Sequence, residues 1–208
     1  MSTPGFLPGF FDRADPSDDA EFYVPLRLVT HIDDDAIAAV TALYRELGIG
    51  SGTRVLDLCS SWVSHLPERP ASMVAMGMNR AELDVNPHAT ERVVKDLNVD
   101  PTLPLPDDSV DAVLCVVSID YLVRPVEVLA EAARVLVPGG VVALTFSNRC
   151  FPTKAVRGWL EADDDERAGI VVRYLQAAGG FDEPRVERRT PAAHRGDPLW
   201  AVTARCSR

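Results

Sequence analysis

Polar or titratable residues recur at the carboxyl ends of short apolar runs. Asp57 lies in Arg54–Leu58 and is followed by Cys59, Ser60 and Ser61. Met78 and Asn79 follow Met73–Gly77, Asp96 and Leu97 follow Arg92–Lys95, and Ser118, Asp120 and Tyr121 close Asp111–Ser118. In an open α/β sheet, ligands bind beyond the carboxyl ends of the strands, at the point where the connections diverge. The groups gathered there can hydrogen-bond a polar ligand, and His31, Asp120 and Tyr121 have side chains within the acid–base repertoire. His65, His88 and His194 read as structural or loop residues. No metal site is expected. Asp163-Asp164-Asp165 reads as a helix start, where carboxylates favour the dipole, and Cys59, Cys115, Cys150 and Cys206 are far apart with no CxxC pair. They read as reduced thiols.

The elements that must hold these groups are legible as alternating patterns. The first twenty residues, rich in Pro, Gly and Asp, read as an irregular arm without a regular element of its own. From Asp33 the apolar residues Ile37, Val40, Leu43, Tyr44 and Leu47 follow helical spacing. Asp33 or Asp34 is the cap, and Gly48 and Gly50 mark the end. Arg54–Leu58 is a strand, followed by a loop-helix stretch broken by Pro67 and Pro70. Strands near Met73–Gly77 and Arg92–Lys95 come next, and Asp111–Ser118 has the continuous apolar character of a strand buried on both faces. Glu127–Leu136 is a helix stopped by Pro138-Gly139-Gly140, and Val141–Phe146 is a fifth strand. Asp163–Ala178 is a helix, and Arg185–Arg189 and Leu199–Arg205 form a closing antiparallel pair. The alternation predicts a Rossmann-like three-layer α/β sandwich with a mostly parallel seven-stranded sheet and an antiparallel C-terminal strand. An arm or lid over residues 1–32 precedes a single domain over 33–208.

With this frame in place, the run LPLPDDSVDAVLCVVSIDYLVRPVEVLAEAARVLVPGGVVALTFSN, Leu103 to Asn148, resembles the class I S-adenosylmethionine (SAM)-dependent methyltransferase superfamily, type 11-like. Pro104, Asp108, Asp111, Glu131, Arg134, Pro138 and Gly139-Gly140 fall on matching positions. The family's glycine-rich loop after the first strand is replaced: Cys59, Ser61 and Val63 stand where three glycines belong. A β-branched Val is poorly suited to positive φ, so the loop must take another path. In this respect the chain is similar to a set of uncharacterised methyltransferase-like proteins with an Asp-Leu-x-Ser-Ser-Trp-Val-Ser-His loop. The resemblance implies SAM as cofactor, bound by Asp57, Cys59, Ser60, Ser61, Met78, Asn79, Asp96, Leu97 and Ser118. Asn79 takes the place of the acid that accepts from the ribose hydroxyls, so an Asn79→Asp change is expected to tighten binding. Asp96 and Leu97 form the adenine corner. Trp62 packs on the cofactor or anchors the core, while Tyr23 and His31 lie on a segment that closes over the cofactor as a lid. His31, Asp120 and Tyr121 are the catalytic candidates.

A small-molecule acceptor is the expected partner. The 31 acidic residues against 21 basic ones, a net charge of −10, disfavour nucleic acid and anionic membrane surfaces. No apolar run reaches bilayer length, and Met1–Pro16 lacks the pattern of a signal peptide. The expected location is cytoplasmic, and a homo-oligomer is not indicated. A second class of function is a catalytically weak or inactive methyltransferase fold that acts as a SAM-binding or regulatory module. A nicotinamide dehydrogenase is disfavoured because no GxGxxG follows the first strand.

Overall fold

The computed structural model describes residues 5–208, so the first four residues of the expected arm lie outside the described residues. In chain order the elements are α1 (Asp19–Phe22), α2 (Asp34–Glu46), β1 (Arg54–Leu58), β2 (Ser72–Gly77), α3 (Arg80–Asp84), β3 (Glu91–Val94), β4 (Val110–Val116), a 3-10 turn (Ile119–Tyr121), α4 (Pro125–Val135), β5 (Leu136–Phe146), α5 (Arg157–Leu160), α6 (Asp164–Ala178), β6 (Arg185–Arg188) and β7 (Trp200–Arg205). The sheet order is β3-β2-β1-β4-β5-β7-β6. The first five strands pair in parallel; β7 runs antiparallel to both β5 and β6. Two apolar cores flank the sheet. Leu56, Val113 and Leu144 pack with Val128, Leu129 and Tyr174 of α4 and α6 on one face, and Val55, Ala112 and Ala143 pack with Val40, Leu43 and Tyr44 of α2 on the other. This is the expected three-layer sandwich, with a mostly parallel seven-stranded sheet.

The helix ends follow their capping chemistry. The Asp33 side chain accepts from Ala36 N–H at the start of α2, and Asp163 and Glu166 form a reciprocal capping box on α6. Four local expectations need correction. The stretch between β1 and β2 has no helix: Pro67 and Pro70 interrupt it. Its carbonyls are instead tied to side chains, His65 O accepting from Thr41 and Ser61 O from Asn86. The α4 helix ends at Val135, before Leu136. Leu136 turns extended and pairs with Val110, so Pro138-Gly139-Gly140 forms a register shift inside β5, with Gly139 at φ +76°. The arm does contain a regular element, the single turn α1, capped by Asp18. The sequence reading also passed over α3 and α5, both one turn long.

Candidate functional site

One cavity of about 650 Å³ opens at the carboxyl ends of β1, β2 and β4. It lies where the connections from β1 and β4 diverge, the switch point at which open α/β sheets bind ligands. Among the predicted residues, Asp57, Cys59, Ser60, Ser61, Met78, Asn79, Asp96, Leu97, Ser118, Tyr121 and His31 all line it; Asp120 does not.

At β1, the sheet buries Asp57 to 3% exposure. Its Oδ2 accepts from the Ser60 hydroxyl at 2.6 Å and the Ser64 hydroxyl at 2.7 Å. Burial pushes this carboxyl up to about 6, against the two hydroxyl bonds. Asp57 thereby holds the loop that follows it. That loop does take another path: of the three positions expected to carry glycine, only Cys59 adopts a left-handed backbone, at φ +52°. The close approach instead falls to Gly77 of β2. Ser60 N–H donates to Met76 O at 2.7 Å, and the Ser60 carbonyl sits so near Gly77 that any Cβ there would collide with it. A second departure lies across the cavity, where Val117 is held at φ +43° while its N–H donates to Thr145 O. A β-branched residue in this region stores about 1–3 kcal/mol of strain, a cost typical of functional walls.

Asn79 is placed otherwise than the ribose contact requires. Its Oδ1 caps α3 by accepting from Ala81 and Glu82 N–H, and its Nδ2 donates to the carbonyls of Tyr23 at 2.9 Å and Val24 at 3.2 Å. Both lone pairs and both protons are committed. The carboxylate facing the cavity from this element is Glu82. It accepts from the Ser61 hydroxyl at 2.6 Å and from Arg27 N–H at 2.8 Å. The spacing Asn79-x-x-Glu82 is that of a helix start and was the signal that could have found both α3 and Glu82.

At β3, Asp96 uses Oδ1 to accept from the N–H groups of Asn98 and Val99. Leu97 is buried, and its N–H meets no acceptor among the described residues. Asn98 donates to Tyr121 O and to Asp19 of the arm. After β4, the Ser118 hydroxyl turns back to Val116 O, and the Tyr121 phenol oxygen accepts from Phe151 N–H at 2.9 Å.

The arm roofs this space. Asn79 holds Tyr23 and Val24, Glu82 holds Arg27, and the Trp62 indole N–H donates to Val29 O at 3.0 Å. Trp62 thus anchors the roof while lining the cavity. The His31 ring meets Phe151 edge-on at 5.4 Å, and desolvation lowers its pKa, which favours the neutral imidazole. Asp19, Arg27, Glu82, Arg149 and Phe151 are among the lining residues that sequence reasoning missed. A lone Arg in the apolar run Val24–Val29 was the available hint for Arg27.

Asp120 is the catalytic candidate set aside by the geometry. The 3-10 turn sends Tyr121 to the cavity and Asp120 into the core, at 2% exposure with Oδ2 unpartnered among the described residues. Burial pushes its carboxyl up to about 8, with only the charge of Arg167 and its own backbone bond opposing. The native state therefore keeps a proton that the unfolded chain, titrating near 3.8, has already lost. Stability accordingly falls as pH rises between those two values, by up to about 1.4 kcal/mol per pH unit. Asp120→Asn should flatten the decline between pH 5 and pH 8 in denaturant titrations. Parallel pH profiles for the two proteins would contradict this assignment.

A methyltransferase domain family model matches residues 46–144. An uncharacterised methyltransferase of Mycobacterium tuberculosis (strain H37Rv) is 37% identical over 149 residues, which is 72% of this chain. The chain spans about half, 52%, of that relative's length, and the same figures hold for a counterpart in Mycobacterium bovis. Among solved structures, an S-adenosylmethionine-dependent methyltransferase of Mesorhizobium loti superposes with a TM-score of 0.56 at 18% identity, over 81% of this chain and 98% of that one. A SAM-dependent methyltransferase of Aquifex aeolicus gives 0.56 at 19% identity, over 84% and 94%. At these identities the superpositions speak to the fold alone.

Proposed function

We propose that this chain is a class I S-adenosylmethionine-dependent methyltransferase, that this cavity binds SAM and that the protein methylates a small-molecule acceptor. The observation that carries the reading is convergence. Residues after four successive parallel strands, separated by up to 61 positions from Asp57 to Ser118, face one cavity at the switch point.

The donors and acceptors present suit a nucleoside. Asp96 keeps Oδ2 clear of its turn, ready to accept from an exocyclic amine, and the unpartnered Leu97 N–H beside it suits a ring nitrogen. Met78, Leu97 and Leu122 supply apolar walls for a flat base. Glu82 takes over the acidic side of the ribose region, because Asn79 is spent on the cap and the arm. When bound, the cofactor supplies an electrophilic methyl on a sulfonium. The protein's part is positioning: alignment of the acceptor in a dry site provides most of the acceleration available to direct transfer. The roof from Tyr23 to His31 covers the cavity, and His31 is the group available to take a proton from an acceptor that must lose one, while the Tyr121 phenol, which burial keeps protonated, can orient that acceptor by donating a hydrogen bond. Asp57 serves the site by holding the Ser60–Ser64 loop.

The four cysteines are free thiols, which accords with residence in the cytosol. Among the described residues, no helix is long and apolar enough to cross a membrane.

Calorimetric titration with SAM tests the reading. Asp96→Ala should weaken binding about tenfold or more, the scale of one charge-assisted hydrogen bond, while the unfolding transition stays within about 1 kcal/mol of the parent. Equal affinity in the two proteins would remove Asp96 from the site. Tight binding without methyl transfer to any acceptor would make the protein a SAM-binding module.

A further inference from the structure

Four rings gather at the roofed end of the cavity. Phe151 sits at the centre, 5.3 Å from Phe22, 5.4 Å from His31 and 5.9 Å from Tyr121, the last inclined by only 31°. Such a cluster ordinarily suits a cationic ligand, but here the cation is built in. The Arg27 guanidinium carbon lies 4.7 Å from the Phe22 centroid, 5.6 Å from Phe151 and 5.9 Å from Tyr23.

The charges around it are unevenly satisfied. Asp19 meets Arg13, Lys154 and Asn98. Glu82 receives the Ser61 hydroxyl and the Arg27 backbone, and Lys95 pairs with Asp100. The Arg27 guanidinium has no carboxylate within 4.0 Å among the described residues; it donates to the carbonyls of Phe22 and Pro25 and keeps further N–H groups unspent. Arg149, also lining the cavity, is 64% exposed and among the described residues reaches only Asp197, at 3.8 Å. The charge at this end is thus one guanidinium without a carboxylate, Arg27, and one held only loosely, Arg149, on a chain whose net charge is −10. The overall field repels anions, so an anion is drawn here only by local contacts, and planar guanidinium suits a carboxylate best.

We propose that the acceptor is a small, flat aromatic carboxylate, its ring against Tyr121 and Phe151 and its carboxylate on Arg27 and Arg149. This inference names the acceptor class of the methyltransferase site above, and so rests on that reading. A second cation would meet Arg27 already over the rings, and a neutral aromatic would leave the Arg27 guanidinium without a counter-ion and Arg149 with only Asp197 at 3.8 Å.

The test is titration of the full chain, free and saturated with S-adenosylhomocysteine, with 4-hydroxybenzoate, 4-hydroxybenzyl alcohol and tyramine. The carboxylate should bind at least about tenfold more tightly than the alcohol, with tyramine weakest. Arg27→Met should bring carboxylate and alcohol to within about threefold, Arg149→Met should narrow the gap by a lesser factor, and Arg27→Lys should keep part of it. Retained S-adenosylhomocysteine affinity and an unchanged circular dichroism spectrum in Arg27→Met would show that the roof survives the change. Equal affinity for the three compounds, preference for tyramine, or indifference to both Met variants would overturn the proposal. If S-adenosylhomocysteine does not bind but the carboxylate preference persists, the methyltransferase reading falls and the anion site stands.

Discussion

Lys154→Met should cost the fold about 3 kcal/mol, within the range for breaking a buried ion pair by removal of one partner, and should weaken cofactor binding as well. Lys154 is fully buried. Its ammonium lies 3.1 Å from Asp15 and 3.2 Å from Asp19, donates to Ser17 O at 2.9 Å and sits 5.3 Å from the Phe22 ring. Burial alone would raise the Asp19 carboxyl, yet bonds from Arg13, Asn98 and Lys154 hold it below the ordinary carboxylate value. Met fills the space of the aliphatic stem but leaves Asp19 with less counter-charge inside the protein. Arg13 still reaches both Asp19 oxygens, which keeps the loss near the lower end of the range. The effect reaches the cavity because Asp19 lines it and holds Asn98, next to the Asp96-Leu97 corner. Denaturant titration gives the first quantity and calorimetry with SAM the second. A loss below about 1 kcal/mol would mean that the buried pairing is not formed in solution.

Asn79→Asp should weaken SAM binding, by about tenfold, where the family resemblance alone implies the opposite. Asp remains an excellent helix cap, so α3 and the fold persist. The second carboxylate oxygen, however, would face the carbonyl oxygens of Tyr23 and Val24 at the positions where Nδ2 now donates. Two hydrogen bonds are lost and two like dipoles meet, a change of about 1–2 kcal/mol. The roof over the cavity should lift, seen as faster proteolysis between Phe22 and Thr30 together with the loss of affinity. Tighter binding and an unchanged digestion pattern would restore Asn79 to the ribose.

The contrast shows where the sequence was readable. The central strands β1, β4 and β5 are apolar and buried, α2, α4 and α6 are long and periodic, and Asp33 caps α2 while Asp163 with Glu166 caps α6, so local patterning and tertiary burial agree there. Asp57, Asp96, Ser118 and Tyr121 could be placed at the cavity because a strand end fixes where the next few residues point. The failures involve contacts between distant segments. Whether Asn79 faces a ligand or a neighbouring carbonyl depends on Tyr23, 56 positions away. Asp120 and Tyr121 are adjacent, and only the 3-10 turn decides which enters the core. The missing loop glycines became intelligible once Gly77, on another strand, was seen against Ser60. Helices of one turn, α3 and α5, have too little periodicity to register, and the Pro-Gly-Gly stop was absorbed into β5 because Leu136 finds a ladder partner in Val110.

The central claim is that the space beyond β1, β2, β3 and β4 receives an adenosyl group. A crystal structure of the protein grown with S-adenosylhomocysteine measures this directly. Adenine density against Leu97, with its amine on the Asp96 carboxylate, is the predicted result; a nucleoside seated elsewhere, or a cavity left without one at saturating ligand, would contradict it.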